Sequence, residues 1–432
     1  MSVSDMFKCF LDNLKVTNAD QISDRYGEIT ASLNKKFRDS ESKEANSLKV
    51  GSYGRYTGIN GISDLDMLYI MPKGKWDTYK DGKQSQLLTD VKDAILARYP
   101  RSNIRVDRLV VTITYTNFHV EVQPVFEDTD NNGERHFHFP DTYYGGKWRT
   151  TKPLQEMKEI RDLNDQKNGN LRLLCKMARS WRNKHGVAMG GLLIDTLAYN
   201  FLNLTNDYDD TSFLYFDRMS RDFFKYLSDQ PDQDHYKAPG SNQYVKVKKK
   251  FQKKAKEAYD MVLKAIEVEK TDSVNDKWKK IYGRSFPASV AMQKSALTEQ
   301  GCTDTEEFIE DYYPVDVRYN LSIDCSVHQN HGLPKSLRNM LKNDFGISNN
   351  KKLIFEIAEH DIEGEFEVKW KILNRGEEAI RRNQIRGQIE SSNIENTSRK
   401  ETADFKGEHL VECYAIRNGI IVARNSINVP IL

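Results

Sequence analysis

Two aspartates one residue apart, Asp64 and Asp66, stand at the start of an apolar run and could bind a metal ion together. Side chains alternate between the two faces of a strand, so both carboxylates project from one face and Leu65 from the other. Neighbouring carboxylates repel one another unless a cation neutralises them. Mg²⁺ suits such hard oxygen ligands, usually together with substrate phosphates. The pair therefore predicts a magnesium site at a strand end.

A glycine-rich turn lies about a dozen residues upstream, where Gly51, Ser52, Tyr53 and Gly54 follow one another. Such a turn can aim backbone N–H groups and a hydroxyl at phosphate oxygens. An Asp-x-Asp pair alone is common at strand ends and is usually structural. The turn, the pair and the apolar run together are much rarer, and they predict a phosphate cradle beside a metal platform.

A third carboxylate, Glu121, lies on a segment whose alternation predicts a strand from Phe118 to Val125. We expect this strand to pair with another from Arg105 to Tyr115. Glu121 falls on its polar face. If the strand also neighbours the one that carries Asp64, Glu121 completes a three-carboxylate site. A plain surface glutamate is the alternative.

Two basic segments could contact phosphates. Helical spacing between Leu171 and Lys184 places Arg172, Lys176 and Arg179 on one face. A triphosphate needs cationic partners, and Lys176 is our candidate, with a solvated basic face as the alternative. The lysine-rich run 244–259 fits a nucleic-acid surface or a solvated helix, and its scarcity of interleaved aromatic residues favours the helix.

The composition describes a globular chain of about two domains. Its 432 residues are 38% hydrophobic and 30% charged, with a formal net charge of +2. A balance so close to neutral gives no global attraction to nucleic acid or membrane. The chain shows neither a signal-peptide pattern nor a membrane-length apolar run, and its five cysteines are scattered and odd in number. These features predict reduced thiols and a cytoplasmic location.

Cys325, His328 and His331 are spaced like zinc ligands, but no fourth ligand follows at a usual distance.

The periodicity of the apolar residues predicts an α+β fold in two parts. Helical spacing over the first fifty residues predicts one or two helices behind the first strand. Beyond residue 312 the period changes to two, as in Phe366, Val368, Trp370 and Ile372, and Asn418-Gly419 predicts a hairpin. The expected domains are a catalytic domain at 1–290 (mixed sheet 50–125, helical lobe 150–290), a linker at 291–312 and a β-rich, sandwich-like domain at 313–432.

Residues 49–57 and 63–67 together resemble the polymerase-β-like nucleotidyltransferase superfamily. They resemble most closely its bacterial cyclic GMP-AMP synthase-like (CD-NTase/SMODS) members, the second-messenger synthetases of anti-phage signalling. Residues 278–287 resemble the end of that catalytic core. Residues 370–379, 385–387 and 407–414 resemble the C-terminal adenylyl/guanylyl and SMODS sensor domain that is fused to some of these enzymes.

The resemblance implies a role for each matching residue. Asp64 and Asp66 would bind two Mg²⁺ ions, which Mn²⁺ can replace, and Glu121 would be the third ligand and would help to deprotonate the attacking hydroxyl. Gly51, Ser52 and Tyr53 would hold the donor nucleotide, and Lys176 would touch its phosphates. Two departures stand out: the third acid is commonly aspartate, and Gly190-Gly191 stands where the family often has a serine. In the sensor-like domain the candidate ligand-facing residues are Trp370, Arg386 and His409; a core Trp370 and a structural ion pair at Arg386 form the alternative.

The function implied is synthesis of a cyclic di- or oligonucleotide from ATP, GTP or other NTPs, with a downstream effector reached through the product. Two alternatives share the same carboxylates: a nucleotidyltransferase that acts on an RNA end or a small molecule, and a catalytically lapsed nucleotide sensor. The resemblance implies no membrane partner and leaves open a nucleic-acid activator. Base choice, ring size and linkage depend on pocket walls that the sequence does not locate.

Overall fold

The computed structural model describes residues 2–61, 64–116, 118–269, 271, 273–288, 307, 309, 312, 313, 317, 319–328, 333–343, 345–374, 377–382, 384, 386–417 and 419–432. This described chain divides into two compact units. The first comprises 1–180, 190–269 and 282–287, and the second comprises 181–189, 270–281 and 288–432. The domain boundaries expected above stay a prediction, because most of the segment 291–312 lies outside the described residues.

The chain up to Tyr282 mixes helices with strands. The helices are α1 (Val3–Asn13), α2 (Ala19–Arg38), α3 (Gly51–Gly54), α4 (Trp76–Tyr79), α5 (Gln84–Arg98), α6 (Pro153–Gln166), α7 (Asn170–His185), α8 (Gly191–Asn203), α9 (Phe216–Ser228), α10 (Gln252–Glu267) and α11 (Val274–Tyr282). The strands are β1 (Ser47–Lys49), β2 (Asp64–Ile70), β3 (Asn103–Val106), β4 (Val111–Thr114), β5 (His119–Thr129), β6 (Arg135–Asp141), β7 (Lys147–Thr151), β8 (His235–Lys237) and β9 (Tyr244–Lys246).

Within the described residues, seven strands form one mixed sheet in the order β1-β2-β5-β4-β3, and β6 and β7 continue from β5. Strands β2 and β5 run parallel, and the other pairs are antiparallel. The single strand expected from Arg105 to Tyr115 is in fact two, β3 and β4, and a turn from Asp107 to Val110 separates them. The parallel pair at the centre matters most, because it sets the neighbours of Asp64 and Asp66.

One face of this sheet is covered by α2 and α5. Ile29 and Leu33 of α2 share a fully buried cluster with Leu65 and Met67 of β2, as the helical spacing predicted. Helix α1 does not join this cluster. Its rings pack in the helical part of the unit, where Phe7 contacts Phe216 and Phe286 with centroids 6.1 and 5.5 Å apart.

The lysine-rich run 244–259 covers the short strand β9 and the first half of α10. Lys254 pairs with Glu257 at 3.0 Å and Lys256 with Asp260 at 2.5 Å, one turn along the same helix. Lys250 pairs with Asp232. Acidic neighbours thus balance three lysines of the run.

The chain beyond Leu321 is rich in strands. The elements are β10 (Leu321–His328), β11 (Lys335–Ser336), α12 (Leu337–Lys342), β12 (Lys352–His360), β13 (Glu367–Leu373), α13 (Glu377–Arg381), β14 (Arg386–Ser391), β15 (Arg399–Thr402), β16 (Gly407–Arg417) and β17 (Ile420–Ile431). In the described part of this unit, the strands form two four-stranded sheets, β11-β10-β12-β15 and β14-β13-β16-β17, which share one apolar core. The expected α+β class with a sandwich-like C-terminal part is confirmed.

The predicted hairpin at Asn418-Gly419 joins β16 to β17, although Asn418 itself lies outside the described residues. The alternation in β13 also places Val368, Trp370 and Ile372 in the core. Its other face is not simply solvated, since Lys371 is buried and lies 3.4 Å from Glu412 of β16.

The structure shows the state of four of the five cysteines. The described cysteines, Cys9, Cys175, Cys325 and Cys413, are free thiols, and Cys302 lies outside the described residues. Cys325 points into the sandwich core, where burial raises the pKa of its thiol. Its suggested zinc partner His331 lies outside the described residues.

Across the described segments, no helix has both the length and the apolar character that crossing a bilayer requires.

Candidate active site

The Gly51 turn lies directly against the carboxylate of Asp66. Strand β1 pairs with β2, and the Val50 N–H donates to the Asp66 carbonyl oxygen at 2.9 Å. The chain then turns at Gly51, which has a φ of +63°. A Cβ atom on Gly51 would lie only 1.8 Å from Asp66 Oδ2. The predicted phosphate turn and the predicted metal ligand are therefore in contact, and only glycine fits between them.

The turn closes on itself through the Ser52 carbonyl oxygen. This oxygen accepts the N–H groups of Thr57 and Gly58 at 2.9 and 3.1 Å. The first residues after β1 form α3, so the chain reverses within a few residues. Ser52 is half-buried at the start of this compact turn. These two hydrogen bonds link the end of the turn to its start.

Glu121 lies beside Asp66 on the neighbouring strand. Strand β5 runs parallel to β2, with Asp66 opposite Glu121 and Asp64 opposite His119. Side chains at paired positions of adjacent strands project from the same face, and adjacent strands lie about 4.8 Å apart. Leu65 and Val120 face the opposite side, in the core. The three acidic side chains therefore share one face of the sheet, as the three-carboxylate hypothesis requires.

This donor set fits a divalent cation. Asp64 is buried, and Asp66 and Glu121 are half-buried. Three carboxylates on one face of two adjacent strands repel one another unless positive charge is brought near them. Carboxylate oxygens with room for substrate phosphates are the usual ligands of Mg²⁺.

A buried ion network, which the sequence analysis missed, holds the turn in place. The guanidinium of Arg55 donates to Asp195 Oδ2 at 2.9 Å, and that oxygen also accepts the Thr57 hydroxyl at 3.0 Å. Arg179 donates to the same carboxylate, at 2.5 Å to Oδ1 and 3.0 Å to Oδ2. Arg55 also lies 3.5 Å from the buried Glu156. The only hint in the sequence was that Arg55 and Thr57 belong to the segment 49–57.

The network corrects one expectation about α7. Arg179 was placed on a basic face that could serve a triphosphate, but it is buried and bound to Asp195. Arg172 remains close to the turn, because its Nε donates to the Arg55 carbonyl oxygen at 3.2 Å. Its guanidinium also lies over the ring of the exposed Tyr56, 4.9 Å from the centroid. Arg172 is thus the α7 arginine that stands beside the turn.

We expect Asp195→Asn to lower the free energy of unfolding by about 3–5 kcal/mol, because it leaves two buried arginines without their carboxylate. Burial alone would raise the pKa of Asp195, but Arg179 and Arg55 outweigh it and lower the pKa from 3.8 to about 2. The carboxylate therefore stabilises the fold above about pH 4, and this stabilisation is lost as the pH falls towards 2. Urea unfolding at several pH values measures both effects.

Asp162→Asn is the matched control, since Asp162 pairs with Lys158 on the exposed surface of α6. It should change the free energy of unfolding far less than Asp195→Asn does, because an exposed ion pair contributes little to stability. Equal effects of the two variants would contradict the stabilising role of the network.

Lys176 lies one turn beyond Arg172 on α7 and is half-buried. Burial lowers the pKa of its ammonium, and the nearby charges of Arg172 and Lys15 lower the pKa further. A group of like charges in a partly dry place gains from an anionic ligand. The position is therefore suited to a triphosphate.

We expect Lys176→Gln to weaken NTP binding about tenfold, which equals about 1.4 kcal/mol. In the unmodified chain, bound phosphate should raise the lowered pKa of Lys176, so binding at a pH near that pKa should take up protons, and the affinity should fall as the pH rises through it. Calorimetry in buffers of different ionisation enthalpy measures both the NTP affinity and the number of protons taken up on binding. The exposed Lys158→Gln should change neither, and unchanged proton uptake in Lys176→Gln would refute the assignment.

Tyr53 faces the interior as well as the turn. Its ring packs against the core under the sheet, and Lys49 Nζ lies 5.7 Å from the ring centroid. Burial raises the pKa of its hydroxyl, and the neighbouring Tyr56 and Asp20 add to this effect. These contacts give Tyr53 a packing role whether or not it also touches a nucleotide.

In the C-terminal unit a cavity of about 370 Å³ lies between the two sheets. Arg386 and His409 line it, together with amide and aromatic side chains: Asn374, Gln384, Gln388, Phe355 and Phe405. Arg386 also binds Glu401 at 2.6 and 3.2 Å. Trp370 is away from the cavity wall, fully buried, with its indole N–H 3.3 Å from the Ser392 hydroxyl.

Two domain families match this chain. The Second Messenger Oligonucleotide or Dinucleotide Synthetase (SMODS) domain matches residues 1–164, and the Adenylyl/Guanylyl and SMODS C-terminal sensor domain matches residues 303–432. This chain is therefore similar to the SMODS synthetases over its N-terminal part and to the associated sensor domains over its C-terminal part. The carboxylates and the Gly51 turn lie within its synthetase domain, and the cavity lies within its sensor domain.

A curated protein and several solved structures are also similar to this chain. A protein named "Probable cyclic nucleotide synthase" from Bacillus cereus is 21% identical over 279 residues, which are 55% of this chain and 81% of the relative. The structure of the E. coli CdnC:HORMA-deltaN complex is similar with a TM-score of 0.51 and 14% identity, over 66% of this chain and 98% of that chain. The structure of Bradyrhizobium diazoefficiens CdnG with GTP has a TM-score of 0.48 and 11% identity, over 69% and 99% of the two chains. The likeness to the CdnC structure confirms the polymerase-β-like fold. The matches to the SMODS domain and to the Bacillus cereus protein confirm the nucleotidyltransferase class, and the SMODS family makes cyclic nucleotides from NTPs.

Proposed function

We propose that this synthetase joins NTPs into a cyclic di- or oligonucleotide second messenger, releases pyrophosphate and depends on two Mg²⁺ ions. The observation that carries the proposal is the pairing of Asp66 with Glu121 on parallel strands, with the Gly51 turn packed against Asp66. Carboxylates and a phosphate-binding turn in direct contact are what a metal-bound triphosphate requires.

The proposed reaction assigns a task to each residue. The turn at Gly51 and Ser52 holds the donor triphosphate, while Lys176 and Arg172 offset its charge. Asp64 and Asp66 would hold the two ions, with Glu121 as third ligand, placed to take the proton of the attacking ribose hydroxyl. When bound, the ions stabilise charge on the attacking and leaving oxygens.

In each step a bond forms between the hydroxyl oxygen and the α-phosphorus, the bond from that phosphorus to the β-phosphate bridge breaks, and pyrophosphate carries away the electron pair. A second such step on the linear product, turned round in the same site, closes the ring.

Incubation of the full chain with labelled NTPs and Mg²⁺, without any acceptor, tests the proposal. A phosphatase-resistant product with the mass of a cyclic nucleotide is expected, and Asp64→Asn should not form it. Product that forms only after an RNA or small-molecule acceptor is added would favour an acceptor-dependent transferase. NTP binding without any product would favour a lapsed sensor. Mass spectrometry of the product from mixed NTPs identifies the bases, the ring size and, after nuclease digestion, the linkage.

We further propose that the product serves bacterial anti-phage signalling in the cytoplasm, where it acts on a downstream effector. The E. coli relative of similar fold forms a complex with HORMA-deltaN, which supports regulation by a protein partner. In this chain the sensor domain offers the cavity lined by Arg386 and His409 as a second place for regulation.

A point variant suits the test of this cavity better than a truncation at residue 312. The second compact unit also includes 181–189 and 270–281, so a truncation would strip these segments of their packing partners. The NTPs and the purified product are each added to the Asp66→Asn variant, and its Tm is measured. We expect the compound that binds in the cavity to raise this Tm. The rise should be lost in the double variant that also carries Arg386→Gln. A rise that survives in the double variant would place the ligand elsewhere.

A further inference from the structure

A cluster of metal-ligating side chains lies on the β5–β6 hairpin, away from the carboxylates of the proposed active site. It consists of Asp128 on β5 and of His136 and His138 on β6. One ligand atom of each residue lies within 4.8 Å of those of the other two. Two imidazoles and one carboxylate form a donor set typical of Zn²⁺ with an open coordination position.

The hairpin register brings these residues to one face. Asp128 pairs with His136, and Phe126 pairs with His138. His136 and His138 are two residues apart, so both rings project from the same side of β6. Their ring centroids lie 5.1 Å apart, and His138 Nε2 lies 3.5 Å from Asp128 Oδ2. Backbone pairing, not a chance meeting of flexible side chains, positions the three groups.

The two rings differ in their other contacts. The Nδ1 of His138 lies 3.3 Å from the hydroxyl of Thr150 on β7, so its Nε2 remains directed at Asp128. A hydrogen bond to the distant ring nitrogen is the usual support of a metal-binding histidine. The Nδ1 of His136 is buried and has no hydrogen-bond partner within the described parts of the chain. A cation bound through that nitrogen would supply the missing partner.

We propose that Asp128, His136 and His138 bind one Zn²⁺ ion. Asp128 is exposed, so the ion can enter from solvent and keep a water molecule as its fourth ligand. The ion would link β5, the strand that carries Glu121, to β6. Its effect is to tie the end of the central strand to the outer part of the sheet.

Zn²⁺ titration of the full chain in the Asp66→Asn background tests this proposal, because that background removes a ligand of the proposed Mg²⁺ site. Calorimetry should find one Zn²⁺ per chain, and His136→Gln should weaken the binding at least about tenfold. The exposed His235→Gln, on the separate strand β8, is the control and should leave the binding unchanged. Should His136→Gln fail to fold, Asp128→Asn removes an exposed ligand and should give the same loss.

A second readout uses Trp76, whose ring lies 6.1 Å from that of His138. Ni²⁺ bound at the site should quench the fluorescence of Trp76, and Zn²⁺ added first should prevent the quenching. Zn²⁺ binding that is equally strong in His136→Gln and Asp128→Asn, or equally weakened by His235→Gln, would overturn the proposal. Failure here would leave the proposed synthetase reaction intact, since that reaction rests on other residues.

Discussion

Asp66→Asn is expected to lower pyrophosphate release from NTPs by about three orders of magnitude or more, at about 1.4 kcal/mol of lost transition-state stabilisation for each factor of ten. Asparagine keeps the shape of the side chain but lacks the charge with which Asp66, paired with Glu121 on the next strand, would help to bind the proposed ions. The measurement is the steady-state rate with saturating Mg²⁺.

A stability measurement separates this chemical role from a structural one. Without Mg²⁺, Asp66→Asn should still unfold in one cooperative transition, which shows that a loss of activity does not come from a loss of the fold. With Mg²⁺, the unmodified chain should gain stability and the variant should gain little. Glu127→Gln, an exposed position on the same strand β5, is the control and should behave like the unmodified chain. Activity above about a tenth of normal in Asp66→Asn would refute the site assignment.

Gly51→Ala is expected to produce the second large effect, with loss of both activity and stability. Its φ of +63° costs an alanine about 1–2 kcal/mol. The new Cβ would also lie 1.8 Å from Asp66 Oδ2 and 2.6 Å from Asp66 Cγ, so the carboxylate or the turn must move. A shift of about 1 Å in a catalytic group can cost about 100-fold in rate.

Gly61→Ala is the matched control. Gly61 has a φ of +73°, but no atom lies within 4 Å of the Cβ that alanine would add. It should show only the backbone cost, with nearly normal kcat. The two variants are compared by urea unfolding and by NTP turnover. Similar turnover in both would mean that the contact between the turn and Asp66 has no part in catalysis.

The local pattern of the chain was enough to predict several elements. The alternation around Asp64 and Asp66 correctly placed both carboxylates on one face of β2, since a strand's period of two is a property of neighbouring residues. The helix that became α7, and the hairpin of β16 and β17, were likewise predicted from residues that are close in the chain. The split of the expected strand 105–115 into β3 and β4 was missed, because a short turn between two apolar stretches leaves the alternation almost unbroken.

Residues that meet across long stretches of sequence could not be paired in this way. Arg55 and Asp195 are 140 positions apart, and either one alone resembles an ordinary surface residue. Arg179 illustrates the consequence, since its helical spacing suggested a phosphate ligand and burial made it a partner of Asp195. Trp370 is similar, because an aromatic residue on a strand can face a cavity or the core, and only the packing of the two sheets decides which.

By itself, the sequence determined the chemistry of the Gly51 turn and the Asp64–Asp66 pair, since both depend on residues that are close in the chain. It also determined the resemblance that pointed to the family. Only the tertiary structure decided that Glu121 lies beside Asp66 and that Gly51 packs on that same carboxylate. The physical reason is that parallel pairing joins strands that are distant in sequence, and their register depends on the whole core beneath them.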